Sequence, residues 1–271
     1  MPEPARPERE RPAEFVQSVQ RALAVIKSFT PRHSSMTLTE VAERTHLTRG
    51  AARRFLLTLE HLGYVRSDGR QFSLSPAVLE LGYAYLSSVH PWDAAVPLME
   101  RLSNEVEENC LAGVLEGTDV VCVARTSRRL VTVAVYVGGR VPASASSMGR
   151  AIFAFQDDDV VEKYLAEADL KRVTPFTLTD KEALRAELKK VREQGWSLVE
   201  HELEEGLTSV SAPVFGAGGR SVAALNISAH GHRLSREDVE TRVLPPLLRC
   251  ARETSLLFGH RPTNGTADAP G

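Results

Sequence analysis

Arg49, Arg53 and Arg54 stand within six consecutive residues, interleaved with the small residues Gly50, Ala51 and Ala52. Guanidinium groups pair with phosphate oxygens or make two hydrogen bonds to the major-groove edge of guanine, and small neighbours let a backbone come close to a groove. A second pair, Arg66 and Arg70, flanks Asp68-Gly69. From Glu14 to Ser75 nine Lys or Arg stand against five Asp or Glu, although the 271-residue chain carries a formal net charge of -2. The positive charge is therefore local, as expected of a segment that meets a nucleic-acid backbone.

Other chemistries find less support. Ser144, Ser146 and Ser147 lie close together, but no Gly-x-Ser-x-Gly elbow surrounds them and no acid and histidine are placed by spacing to activate them. Asp157-Asp158-Asp159 reads as the acidic start of a helix, complementing its dipole, rather than as a metal site. Gly138-Gly139 and Gly216 to Gly219 lack the contexts of nucleotide-binding loops and read as turns. The three cysteines, Cys110, Cys122 and Cys250, share no paired spacing and sit among apolar residues, which predicts buried packing rather than a disulfide framework or zinc. No cofactor, no metal and no enzymatic activity are expected. No apolar run approaches the roughly 18 residues of a membrane span, and the N-terminus lacks the apolar stretch of a signal peptide, so the expectation is a cytoplasmic protein.

The arginines need elements to position them. Val16, Val19, Leu23, Ile26 and Phe29 recur at spacings of three and four, predicting a helix over Phe15 to Phe29 with those residues as its apolar face. Thr37-Leu38-Thr39-Glu40 has the form of a capping box and predicts a short helix to about Arg44. After Thr45-His46-Leu47, Thr48 can cap a third helix running to Leu62, which Gly63 can end in a left-handed conformation. Two helices joined by so short a turn make a helix-turn-helix, with Arg49, Gly50, Ala51, Arg53 and Arg54 on the groove-facing helix and the two capping threonines, Thr37 and Thr48, beside the DNA. Beyond Gly63, two short alternating runs around Asp68-Gly69 predict a hairpin that carries Arg66 and Arg70 as a basic wing.

With 42% hydrophobic residues the chain can bury more than one core. The predicted organisation is a tail over 1–13, a winged helix-turn-helix over 14–75, a connector over 76–90 opened by Pro76, a larger domain over 91–260 and a second tail over 261–271; the composition of both tails predicts disorder. In the larger domain a helix is expected from Pro91 to about Asn109. Strands are expected at Leu111 to Leu115, Val120 to Thr126 and Leu130 to Val137, then helical segments at Met148 to Ala168 and Asp180 to Gln194. Strands at Trp196 to Glu200, Thr208 to Phe215 and Ser221 to His230 precede a last helix from about Ser235 to Phe258. Hairpins with helices give an α+β fold built on an antiparallel sheet.

The segments Phe15 to Ile26, Leu38 to Ala42, Leu56 to Val65, Arg140 to Ala151 and Gly206 to Val214 resemble the IclR family of bacterial transcriptional regulators. Thr48 to Leu59, Leu79 to Leu86 and Ser146 to Arg150 are similar to its subgroup regulating aromatic-acid catabolism through the β-ketoadipate pathway. The resemblance implies a GAF- or PAS-like effector-binding domain, a homo-oligomer (a dimer or a dimer of dimers), promoter DNA as partner and a small carboxylic acid such as protocatechuate, 4-hydroxybenzoate or β-ketoadipate as effector. It places the effector against a loop from Val141 to Gly149 that holds Ser147 and Met148. The opposing strand positions are Leu207, Ser209, Asn226 and Ser228, with Val133 and Val141 as apolar wall. A carboxylate also calls for a cation, and Arg125, Arg140 and Arg150 are the candidates. Gly149 could leave a helix start open to an anion. Val199 is apolar where relatives that bind small oxo-acids can carry an acid, which disfavours a glyoxylate-like effector and leaves His201 and Glu202 as substitutes for the polar role.

Overall fold

The computed structural model describes residues 14–30, 32–82, 91–126 and 135–261. They fall into two compact units, Met1–Val89 and His90–Gly271. The fold is α+β, as the sequence predicted.

In the first unit α1 (Gln17–Ser28), α2 (Leu38–Thr45) and α3 (Arg49–His61) pack beside a three-stranded antiparallel sheet of β1 (Ser35–Thr37), β2 (Val65–Ser67) and β3 (Gln71–Leu74), in the order β1-β3-β2. Val25, Phe29, Met36, Val41, Leu56, Leu59 and Val65 form its core. The capping box is present: Thr37 Oγ1 accepts from the Glu40 amide and the Glu40 carboxylate accepts from the Thr37 amide. Thr48 Oγ1 accepts from the Ala51 amide at 3.2 Å. Three residues separate α2 from α3, and His46 takes the left-handed turn at φ 53°. Gly63, at φ +84°, ends α3 with the amides of Gly63 and Tyr64 donating to the carbonyls of Glu60 and Leu59, the paired closure of a Schellman motif. The first helix is present where the periodicity placed it. α1 turns Val25 and Phe29 into the core, while Val16, Val19 and Leu23 of the predicted apolar face remain exposed, because α2 and α3 cover one side of its C-terminal half. Strand β1 carries no alternation long enough to read. Ser75 caps a 3-10 turn at Pro76–Val78, and residues 79–82 continue as helix; the remainder of the predicted connector helix lies outside the described residues, as do residues 1–13 and 262–271 of the predicted tails.

The second unit is built on a six-stranded antiparallel sheet of β4 (Cys110–Glu116), β5 (Asp119–Arg125), β6 (Arg140–Pro142), β7 (Ser197–Glu200), β8 (Leu207–Phe215) and β9 (Ser221–His230), in the order β6-β5-β4-β9-β8-β7. Each half is a meander of sequential hairpins. Among the described residues they join through one ladder, β4 on β9, where Cys110 pairs with Ile227 and Leu111 with Asn226. One face is covered by α4 (Pro91–Val106) and the last helix, α8 (Leu244–Leu257), fixed at one end by Trp92 against Phe258 at 4.9 Å. The other carries α5 (Ser147–Phe153), which is buried along its whole length and backed by α7 (Lys181–Gln194).

The helical run expected from Met148 to Ala168 is interrupted. After α5 the chain breaks at Gln156, and α6 (Asp158–Glu167) starts anew from Asp157. Gln156 Nε2 donates to Ser221 O at 2.6 Å, so the break docks the chain on β9. The last helix passes through a π turn at Val239–Val243 before the proline pair Pro245-Pro246. The strand expected from Leu130 lies mostly outside the described residues, and residues 135–137 are not strand. Among the described residues the edge strand next to β5 is β6, which lay in the expected pocket loop. All three cysteines are buried and free; burial pushes the Cys122 and Cys250 thiols up to about 11 and that of Cys110 well above its ordinary value.

Candidate functional site

The first candidate surface is α3 with the β2–β3 hairpin. Ala52, Leu56 and Leu59 form the buried stripe of α3. Gly50, Arg54 and Leu57 lie opposite that stripe and Arg49 and Arg53 flank it, all exposed. Nothing stands within 4 Å of the Gly50 Cβ position, so this face is free for close approach. Thr37 and Thr48 sit at the N-termini of α2 and α3 as caps, and Ala51 is half-buried behind Thr48. The hairpin turns as its sequence demands: Gly69 has φ +90°, and Asp68 Oδ1 accepts from the amides of Arg70 (2.9 Å) and Gln71 (2.7 Å). These amides hold the Asp68 carboxyl below its ordinary range, Gln71 most strongly. Arg66 Nε donates across the strands to Ser73 Oγ at 3.2 Å, whereas Arg70 lies exposed at the tip. Arg70→Ala is expected to weaken binding to every duplex about equally and to reduce the slope of log K against log salt by about 1, measured by anisotropy titrations at several salt concentrations.

The second is a cavity between the sheet and α5. It is lined by Leu111, Val135, Val141, Met148, Val199, Leu203 and Leu207 as walls and by Ser146, Ser147, Ser209, Asn226 and Ser228 as polar groups, with a volume of about 20 Å³. The polar groups meet by strand alternation. Ser209 and Ser211 share one face of β8, opposite Ser228 and Asn226 of β9, and Ser147 comes down from the first residue of α5. Ser147 Oγ lies 2.8 Å from both Ser209 Oγ and Ser211 Oγ. Asn226 Nδ2 lies within 3.2 Å of Ser147 Oγ, Ser209 Oγ, Ser211 Oγ and Val210 O. An amide has two hydrogens for those four acceptors, so this network can exchange a partner for a ligand oxygen without stranding a buried donor. Ser211 was not singled out in the sequence; the Ser-Val-Ser alternation at 209–211 carried the information.

The structure thus brings Val141, Ser147, Met148, Leu207, Ser209, Asn226 and Ser228 together, while Val133 lies outside the described residues. The three arginines separate. Arg140 pairs with Glu116 (2.8 Å) and Asp119 (3.4 Å) at the β5–β6 edge. Arg150 is buried, with Nη1 and Nη2 donating to the Glu202 carboxylate at 2.8 and 2.7 Å and Nε to Ser144 O at 2.8 Å. Neither guanidinium is open to a ligand. Arg125 differs: Nη1 donates to the carbonyl of the cavity residue Val135 at 3.1 Å, and its buried Nε has no hydrogen-bond partner.

Other expectations are corrected. The amide of Gly149 is capped by Ser146 Oγ at 2.9 Å, so it offers no anion site; a glycine is needed because a Cβ would stand 2.2 Å from Ala143 O. Glu202 and His201 do not supply polar groups to the cavity beside buried Val199: Glu202 engages Arg150, and His201 Nδ1 accepts from the Gly206 amide at 2.9 Å. Ser146 is a cap, and Ser144 meets the Tyr164 hydroxyl, whose pKa burial pushes up to about 12. Asp157 and Asp158 pair with Arg220 and Arg192. Among the described residues no cluster could hold a metal ion, and no helix is long and apolar enough to cross a membrane.

Known proteins share both halves. The family profile described as "IclR helix-turn-helix domain" matches residues 18–69, and "Bacterial transcriptional regulator IclR C-terminal" matches residues 83–256. The Pca regulon regulatory protein of Pseudomonas putida is 45% identical over 249 residues, covering 91% of this chain and 86% of that one. The p-hydroxybenzoate hydroxylase transcriptional activator of Acinetobacter baylyi is 32% identical, covering 90% and 92%. A crystal structure of an IclR homologue from Microbacterium hydrocarbonoxydans complexed with 4-hydroxybenzoate superposes with a TM-score of 0.74 at 26% identity, covering 89% of this chain and 99% of that one.

Proposed function

The chain belongs to the IclR family of bacterial transcriptional regulators, close to the Pca regulators of the β-ketoadipate pathway, and is a regulator rather than an enzyme; we propose that it controls aromatic-acid catabolism genes in response to a small aromatic or related carboxylic acid. The observation that carries the reading is the cavity beneath α5, apolar along its walls and polar at one end, the division expected of a site for a hydroxylated aromatic acid. In this reading residues 14–75 bind promoter DNA, 76–90 connect, and 91–260 bind the effector. Arg125 supplies the cation for the carboxylate, since its unpartnered Nε favours an incoming acceptor. Ser147, Ser209 and Asn226 meet the ring hydroxyl. The exposed Val16, Val19 and Leu23 support a homo-oligomer, the chain working as a dimer or dimer of dimers that presents two α3 helices to paired half-sites.

The test is a thermal-shift screen of the full chain against protocatechuate, 4-hydroxybenzoate, β-ketoadipate and a few short oxo-acids, followed by anisotropy titrations on promoter DNA with and without the acid that binds. A ligand of the folded state raises its stability by mass action, about 2.7 kcal/mol at a hundredfold excess over Kd. To regulate, it must also bind the DNA-bound and free forms unequally. Melting temperatures unmoved by every acid would remove the effector assignment. Arg125→Gln is expected to weaken the bound acid by roughly 10- to 100-fold, the loss of a charge-assisted hydrogen bond; isothermal titration decides it.

A further inference from the structure

Before the cavity can take an aromatic ring, one of its walls has to move. At about 20 Å³ it has room for little more than a water, whereas an apolar cavity of roughly 150 Å³ takes up benzene. Part of the lining is fixed: β4, β8 and β9 are inner strands hydrogen-bonded on both sides, and every residue of α5 is buried. The rest comes from the sheet edges, Val141 on β6 and Val199 on β7, from Val135, and from the loop of residues 201–206 between β7 and β8, which puts Leu203 into the cavity beside Val199.

This loop is bent at both ends in the left-handed region, at His201 (φ 63°) and Gly206 (φ 82°), and closes on itself through His201 N–H to Leu207 O at 2.8 Å. Its hold on the rest of the unit centres on Glu202. The carboxylate receives both Arg150 Nη groups and the Leu178 amide (2.8 Å), and the Glu202 carbonyl accepts from Thr177 Oγ1 at 2.7 Å. Thr174 Oγ1 adds a bond to His201 O at 2.8 Å. The outer contacts, Glu204 with His230 at 3.6 Å and the Glu200–Arg236 ion pair at 3.5 Å, lie between more exposed groups and hold little in water. The Arg150–Glu202 pair is bidentate, with side chains 3% and 13% exposed, the geometry in which a charged pair is strongest. Arg150 also lies one turn along α5 from Ser147, so one helix carries both the polar end of the cavity and the anchor of its movable wall.

We infer that the Arg150–Glu202 pair is the latch of the cavity: it keeps Leu203 in the space a ligand ring must occupy, and its opening is the step that admits the ligand. The inference rests on the effector-binding reading above. Arg150 and Glu202 are positioning residues in this scheme and do not touch the ligand.

Glu202→Gln in the full chain tests it, because the neutral isostere keeps an oxygen for the Leu178 amide and loses the charge pair. Without ligand, hydrogen exchange at the amides of residues 202–206 and 178 is expected to quicken by roughly tenfold or more, with β4 and β9 amides unchanged. Stopped-flow association of 4-hydroxybenzoate should quicken by a similar factor, which a role confined to stability would not produce. Glu205→Gln, an exposed carboxylate of the same loop, is the control and should change neither. If Glu202→Gln fails to fold, Arg150→Lys keeps the charge, removes the fork and should act in the same direction. Unchanged exchange in the loop overturns the latch, and faster exchange with unaltered association overturns its role in admission. Should the wild-type chain bind none of the acids, the effector reading falls, and the exchange measurement alone decides whether the pair holds the loop shut.

Discussion

Gly149→Ala is expected to destabilise the second unit by about 3 kcal/mol, lowering its melting temperature by roughly 6–12 °C. Helix propensity alone points the other way, since alanine in a helix is favoured over glycine by about 1 kcal/mol. The sign reverses because Gly149 lies on the 3-10 turn of residues 143–145: an added Cβ would stand 2.2 Å from Ala143 O, 2.4 Å from its Cα and 2.6 Å from its carbonyl carbon. These are backbone atoms and cannot rotate aside as a side chain would. Either the turn or α5 must shift, and Ser147, two residues away, shifts with it. Gly218→Ala, where nothing lies within 4 Å of the Cβ position, should stay within about 0.5 kcal/mol of wild type. Calorimetry of both variants decides the matter, and a Gly149→Ala melting temperature at or above wild type would refute the close-packing account.

Arg49→Ala and Arg53→Ala are each expected to weaken operator binding by about 1–3 kcal/mol, roughly 5- to 150-fold in Kd, if the guanidinium reaches a base edge. Both lie exposed beside the buried Ala52–Leu56–Leu59 stripe, on a helix capped by Thr48 and closed at Gly63, so truncation removes a donor without disturbing the core. Loss confined to the operator marks base contact; equal loss on unrelated duplex marks phosphate contact. The comparison requires one fixed salt concentration. Operator affinity unchanged in both variants would displace α3 from the groove.

What was legible in the sequence was local. The Thr37–Glu40 box, the Asp68-Gly69 turn and Gly63 each fix a backbone conformation through a few neighbouring atoms, and the structure contains all three. The apolar periodicity of α1 was also visible, but periodicity says that a face is apolar and not what covers it, and Val16, Val19 and Leu23 are bare in the single chain. The continuous pattern through Phe153 and Phe155 hid the break before α6, which depends on Gln156 meeting a carbonyl of β9 some 65 positions away. For the same reason the partners of Arg140 and Arg150 could not be read. Glu202 lies 52 positions beyond Arg150, and only the folded sheet makes them neighbours. Composition gave three equivalent arginines; burial and geometry leave Arg125 with an open donor.

The single ladder joining β4 to β9 has a consequence for how the protein is made. Cys110 and Ile227 are partners across more than a hundred intervening residues, and pairings of such long range slow folding. At about 5–20 residues per second of synthesis, roughly 5–20 s separate the emergence of the two strands, during which the edge of β4 that β9 will take is unpaired and open to association with other chains. Ser147, Ser209 and Asn226 converge only when that seam closes. If the second unit binds an effector as proposed, the site exists only after the last strand has docked, and a ligand present during synthesis would stabilise the product of that late step by mass action, coupling the yield of folded chain to the ligand.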